Sequence, residues 1–212
     1  AEGELALGDF RILISARFFP SCSTEDDRIE FTADGTGKSF PMLRQENGRC
    51  RSLADFVIPS NSGKKSVFGM FAASVHKKSK AHVHGCSCPA CSNAYEDMIG
   101  KAVRMTLAEA ASAWLDRQVD CGKVIKPAAG YSSCPDHTLK KDILDLLGNG
   151  LGIELTESYA MTPESSICGL VFIHPEACYP EIRKISAQQY DGYASRRGMD
   201  EESARRFLGH LL

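Results

Sequence analysis

Residues 94–119 read AYEDMIGKAVRMTLAEAASAWLDRQV, and this run decides the fold class. Ile99, Val103, Thr106, Ala110 and Trp114 recur at three- and four-residue spacing, which places them along one face of an α-helix. The expectation is one continuous helix over 94–119 with that stripe buried against a sheet. Upstream the period changes. In residues 10–19, Phe10, Ile12, Ile14 and Ala16 alternate with partners on the other face, the mark of a strand. Residues 28–31 are short and β-like, and Ala33-Asp34-Gly35-Thr36-Gly37 is turn chemistry. Two further apolar strands are expected over 53–58 and 66–75, separated by a turn-rich stretch.

Downstream of the long helix the pattern stays mixed. A shorter helix is expected over 136–147, with Leu139, Ile143 and Leu146 inward and Gly148 as its stop. Residues 153–161 and 167–174 read as a hairpin around Thr162-Pro163-Glu164-Ser165. Ser186 with Gln189 forms a capping-box signature before a helix ending at Gly198, and a last short helix follows Asp200. Strands come first, then helix, helix, hairpin and helix, without a βαβ rhythm. That order predicts an α+β fold, mainly antiparallel, with one long helix and several shorter ones. No Gly-x-Gly-x-x-Gly follows a strand, which argues against a dinucleotide site.

The bulk numbers agree. A chain of 212 residues reads as one domain over 1–212, with 76–92 as a Cys- and His-rich insertion loop. At that size roughly 70% of the extended-chain surface is buried, so no disulfide scaffold is needed. Net charge of −2 gives no footprint for nucleic acid. No apolar run is long enough to span a bilayer, and residues 1–8 show no signal-peptide pattern. Nine cysteines, mostly scattered, suit reduced thiols in a cytoplasmic protein.

Chemistry concentrates in Lys126-Pro127-Ala128-Ala129-Gly130-Tyr131, followed by Cys134-Pro135-Asp136-His137-Thr138. Prolines and a glycine make a rigid turn leading into a helix start, and small residues let a ligand approach the backbone. Lys126 adds a cation and Tyr131 an aromatic face. Alone, the segment reads equally as a capped structural loop. It is not alone. The run resembles the Arg-Pro-Ala-Pro-Gly-Tyr-x-x-Cys-Pro-x-His motif of the activation domain of cobalamin-dependent methionine synthase. Leu155-Thr156-Glu157-Ser158-Tyr159-Ala160-Met161, His174-Pro175 with Tyr179, and Tyr193-Ala194-Ser195-Arg196-Arg197-Gly198-Met199 resemble further segments of that family in order. So do Phe18-Phe19-Pro20, Leu43-Arg44-Gln45 and Leu53-Ala54-Asp55-Phe56-Val57 upstream.

The resemblance implies binding of S-adenosylmethionine, whose methyl group is presented to cobalamin carried by a methionine synthase partner, with an electron from a flavodoxin-type donor. It implies Lys126 toward the ligand carboxylate, Ala128 as a backbone contact, and Tyr131 near ligand and corrin. Tyr179 closes over the ligand with Pro180 beside it, and Glu109 on the long helix faces the cobalamin side. Two of these carry a second reading: Glu109 as a solvated boundary glutamate, Tyr179 as a core tyrosine. The sequence also departs from the family. Lysine at 126 replaces an arginine and offers charge without a two-pronged grip. The connection before the glycine turn shrinks to residues 120–124, and nothing in residues 1–9 matches the family's N-terminal helical segment. His82-Val83-His84-Gly85-Cys86-Ser87-Cys88-Pro89-Ala90-Cys91 lies outside the resemblance. It reads as a Cys₃His metal site, a redox Cys pair or an exposed loop, and no metal ligand is assigned. Two functions compete: reactivation acting in trans, and a non-catalytic ligand-binding or thiol- and metal-based regulator on the same fold.

Overall fold

The computed structural model describes residues 2–77, 94–119 and 122–212, with residues 94–97 by backbone alone. Two tight turns start the sheet. Strand β1 (Glu2–Leu7) reverses through Gly8-Asp9 into β2 (Phe10–Ser23), so that Leu7 faces Phe10. Strand β3 (Arg28–Ala33) reverses through Asp34-Gly35 into β4 (Thr36–Pro41). Asp34 and Gly35 both have positive φ, 51° and 77°, the mirror-image turn whose twist matches paired strands. Along its far edge β2 pairs with β5 (Ser66–Lys77) over its whole length, from Phe10 opposite Lys77 to Ser21 opposite Ser66.

Three elements follow before the sheet is complete: α1 (Ala94–Gln118), β6 (Val124–Ile125) and α2 (Leu139–Leu147). Strands β7 (Glu154–Leu155) and β8 (Met161–Thr162) form a separate ribbon. Then β9 (Ser166–Ile173) inserts between β5 and β6. The large sheet runs β4-β3-β2-β5-β9-β6, with β1 on the free half of β2, and every pairing is antiparallel. Helices α3 (Ala187–Arg197) and α4 (Glu201–Leu208) close the chain. The α+β expectation with a mainly antiparallel sheet holds.

Alternation along the strands sends opposite faces of the sheet to different helices. On one face Ile12, Ala16, Phe71, Val75 and Val171 pack against Ala108 and Leu115 of α1. On the other Phe68, Met70, Leu170 and Phe172 pack with Leu139, Ile143 and Leu147 of α2. Outside that layer α3 and α4 gather Leu43, Ile182, Ile185, Tyr193, Leu208 and Leu211.

Four expectations need correction. Helix α1 has the expected span, but Ile99, Val103, Thr106, Ala110 and Trp114 lie on its exposed side. The packed stripe is Leu107, Ala108, Ala111 and Leu115, with Leu115 2% exposed and Trp114 45%. Residues 53–56 form a 3₁₀ helix instead of a strand, because Ser52 and Asp55 close a reciprocal capping box. The stretches 153–161 and 167–174 do not pair with each other. Residues 154–155 meet 161–162, while β9 takes its partners from β5 and β6. The capping box at Ser186 is half-formed: Ser186 Oγ accepts from the Gln189 amide, but the Gln189 side chain turns to Arg44 and Glu46.

The glycine turn and its candidate ligand site

The chain leaving β6 stays beside β9: Leu170 N–H donates to Pro127 O at 3.0 Å, and Ala128 bridges to Gly169. A Cβ at Gly169 would lie 2.7 Å from that Pro127 oxygen, so only glycine permits this approach. Gly169 was not singled out in the sequence; an isolated glycine inside an apolar strand was its signal. The chain then tightens. Gly130 N–H donates to Cys134 O at 2.7 Å, and Cys134 N–H donates back to Tyr131 O at 2.8 Å. Gly130 has φ +92°, and a Cβ there would sit 2.5 Å from His137 Nδ1. His137 therefore fills the hollow under the turn.

Behind the turn lies a buried polar network. Asp136, 1% exposed, accepts from the Thr138 amide at 2.8 Å, the Thr138 hydroxyl, the Tyr193 hydroxyl at 2.9 Å and Arg197 Nε at 3.1 Å. Arg197 continues to Asp142 of α2 at 2.6 Å. Burial pushes the Tyr193 phenol well up, so it stays a donor. These contacts give the Cys-Pro-Asp-His-Thr and Tyr-Ala-Ser-Arg-Arg segments a shared role: they clamp α3 to the start of α2 and fix the turn. Lys140 Nζ donates to Tyr159 O and to His137 Nδ1, both at 3.0 Å. The imidazole is thus neutral with its proton on Nε2. Burial, then Lys140, hold its pKa below the usual value. The thiols of Cys134 and Cys168 are buried beside this network, and burial pushes Cys168 up to about 12. They remain protonated, packing as small apolar groups.

On the outer side stand the aromatic groups. Tyr131 is 71% exposed and Tyr179 55% exposed. Lys126 N–H donates to Tyr179 Oη at 2.9 Å, which holds the two parts of the site together; Pro180 follows directly. The Tyr179 hydroxyl is satisfied, but the ring is exposed and so is not part of the core.

The Lys126 side chain takes a direction that alternation dictates. Val124 and Lys126 point to the α1 face while Ile125 points to the opposite core. Its ammonium donates to Ser112 O and lies 2.9 Å from both Asp116 oxygens, over the Phe71 ring. Glu109 is exposed on α1, seven residues before Asp116 and on the same side, about 10 Å along the axis. Residues 76–92 fall almost wholly outside the described residues, and Cys86, Cys88 and Cys91 lie outside them entirely. Among the described residues no group of three or more His, Cys, Asp or Glu could hold a metal ion.

A two-faced antiparallel sheet with helices on both sides and a glycine turn carrying two outward tyrosines defines an α+β fold. Which family carries it follows from comparison. The model of the vitamin B12 dependent methionine synthase activation domain matches residues 9–123 and 121–198, and the chain belongs to that family. It is similar to a crystal structure of the MetH reactivation domain bound to AdoHcy (S-adenosylhomocysteine), at 30% identity and a TM-score of 0.84. The match covers 96% of this chain and 71% of that one.

Proposed function

We propose that this chain binds S-adenosylmethionine between the 126–131 turn and Tyr179. It offers the methyl group to cobalamin held by a separate methionine synthase chain. The observation that carries the reading is the bond from the Lys126 amide to Tyr179 Oη, which ties exposed Tyr179 to the start of the turn that carries exposed Tyr131. The relative's bound AdoHcy, the thioether left when the methyl group departs, supports the same ligand class. A sulfonium cation suits this setting: each tyrosine face contributes about 0.5–2 kcal/mol toward a cation. Ala128 is the backbone contact, Gly130 lets the turn close over His137, Pro180 stiffens the approach to Tyr179, and Glu109 adds negative potential toward the open side. Cobalamin on the partner would supply the methyl acceptor, with one electron drawn from a flavodoxin-type donor. This chain's part is to bind, orient and expose. A cytoplasmic setting fits that partnership, and among the described residues no helix is long and apolar enough to cross a membrane.

The test mixes this chain with a cobalamin-bearing methionine synthase lacking its own activation domain, S-adenosylmethionine and a one-electron reductant. Return of the methylated cobalamin spectrum only when this chain is present is the expected result. No return, with ligand binding intact, leaves a ligand-binding regulator as the function.

A further inference from the structure

Tyr179 rides on segment 174–182, which runs from the end of β9 back to the glycine turn. Backbone bonds hold both ends: His174 N–H donates to Lys123 O at 3.0 Å, and Ile182 N–H donates to Ser132 O at 2.8 Å. Ala177 N–H donates to His174 O at 3.0 Å, which closes residues 174–177 into a turn with Pro175 at a position that favours proline. Ala177 is wholly buried, so this turn is seated in the core, and only Cys178 separates it from Tyr179. One side chain locks the turn. His174 Nδ1 accepts from the Glu176 amide at 3.1 Å, which places the ring proton on Nε2. The same ring lies 5.8 Å from that of Phe56, a residue 1% exposed. Arg51 lies over Phe56 as well and reaches Glu176 at 3.7 Å. His174 therefore closes the turn through a nitrogen and seats it on the core through its ring.

We propose that His174 is a positioning residue for ligand binding that acts through Tyr179, its Nδ1 fixing the turn that aims the tyrosine at the glycine turn. This rests on reading Tyr179 as a ligand contact. A swing of the 174–177 turn would carry the Tyr179 hydroxyl off the Lys126 amide, 2.9 Å away, and the exposed ring with it. The acceptor atom matters here, not the ring. Histidine Nδ1 and asparagine Oδ1 stand the same number of bonds from the backbone, and asparagine accepts from the amide two residues on in its own turns. Asparagine at 174 keeps the lock without the ring; phenylalanine keeps the ring without the lock.

The test is calorimetry of S-adenosylhomocysteine binding on the whole chain, with thermal melts recording the fold of each variant. His174→Phe should weaken binding about fivefold, the effect of losing one neutral hydrogen bond, while His174→Asn should bind like wild type. In a Tyr179→Ala background His174→Phe should cost nothing more, because the residue it acts through is gone. Three results overturn the proposal: unchanged binding in His174→Phe, equal losses in His174→Asn and His174→Phe, or the same loss with and without Tyr179. In each of these wild type still binds and Tyr179→Ala still weakens it, so the ligand site stands. If wild type does not bind, or Tyr179→Ala binds as wild type does, the site assignment falls and this proposal falls with it.

Discussion

Replacing Gly130 with alanine perturbs the site at its tightest point. The added methyl would lie 2.5 Å from His137 Nδ1 and 2.8 Å from Nε2, on a residue with φ +92°. A side chain at positive φ costs about 1–2 kcal/mol. Displacing a packed ring typically costs about 1–3 kcal/mol, and the Lys140 bond to Nδ1 goes with it. The expected loss is about 3–4 kcal/mol, and at this chain length each kcal/mol lowers the melting midpoint by about 2–4 °C. Circular dichroism melts should place Gly130→Ala roughly 10 °C below wild type. His137→Ala makes room for the methyl group, so the double variant should be less destabilised than the two single losses added together. A Gly130→Ala midpoint within about 2 °C of wild type, or additive losses, would refute the argument that the ring fills the turn.

Three further outcomes are expected. Asp136→Ala removes the buried acceptor of the Tyr193 hydroxyl and of Arg197 Nε, while Arg197 keeps Asp142, costing about 1–3 kcal/mol in urea unfolding, whereas Tyr193→Phe costs about 1 kcal/mol. His137 has a folded pKa below its ordinary 6.5, from burial first and Lys140 second. Its contribution is full above pH 6.5 and is lost as pH falls through the lower folded value, so His137→Asn should flatten that acid limb of the stability profile. Gly169→Ala forces Pro127 O away from β9, and hydrogen exchange at the Leu170 amide should quicken while amides of the β2–β5 pairing do not change.

The long helix was readable from its spacing, but not the side it buries. Helix α1 carries apolar residues on both sides, Ile99, Val103 and Trp114 on one and Leu107, Ala108 and Leu115 on the other. Periodicity is satisfied by either set, and only the packing of α1 against the sheet decides between them. The β9 partners were hidden for a different reason: pairing with β5 spans nearly a hundred residues, and local alternation carries no record of it. The 3₁₀ turn at 53–56 did have a local sign, Ser52 three residues before Asp55, outweighed by its apolar run. Strand β1 had one too, Gly8-Asp9 before an alternating strand. At the site, the motif located the glycine turn and Tyr179, but nothing local revealed Asp116, which reaches Lys126 only once α1 lies across the sheet.

The most direct measurement is an isothermal titration of the chain with S-adenosylhomocysteine, run beside Tyr179→Ala and Lys126→Ala. A ligand site at the glycine turn predicts saturable heat for wild type and weaker binding for both variants, by about 1–3 kcal/mol at Lys126, as for a charged hydrogen bond. Absence of heat at millimolar ligand, or unchanged binding in both variants, would contradict it.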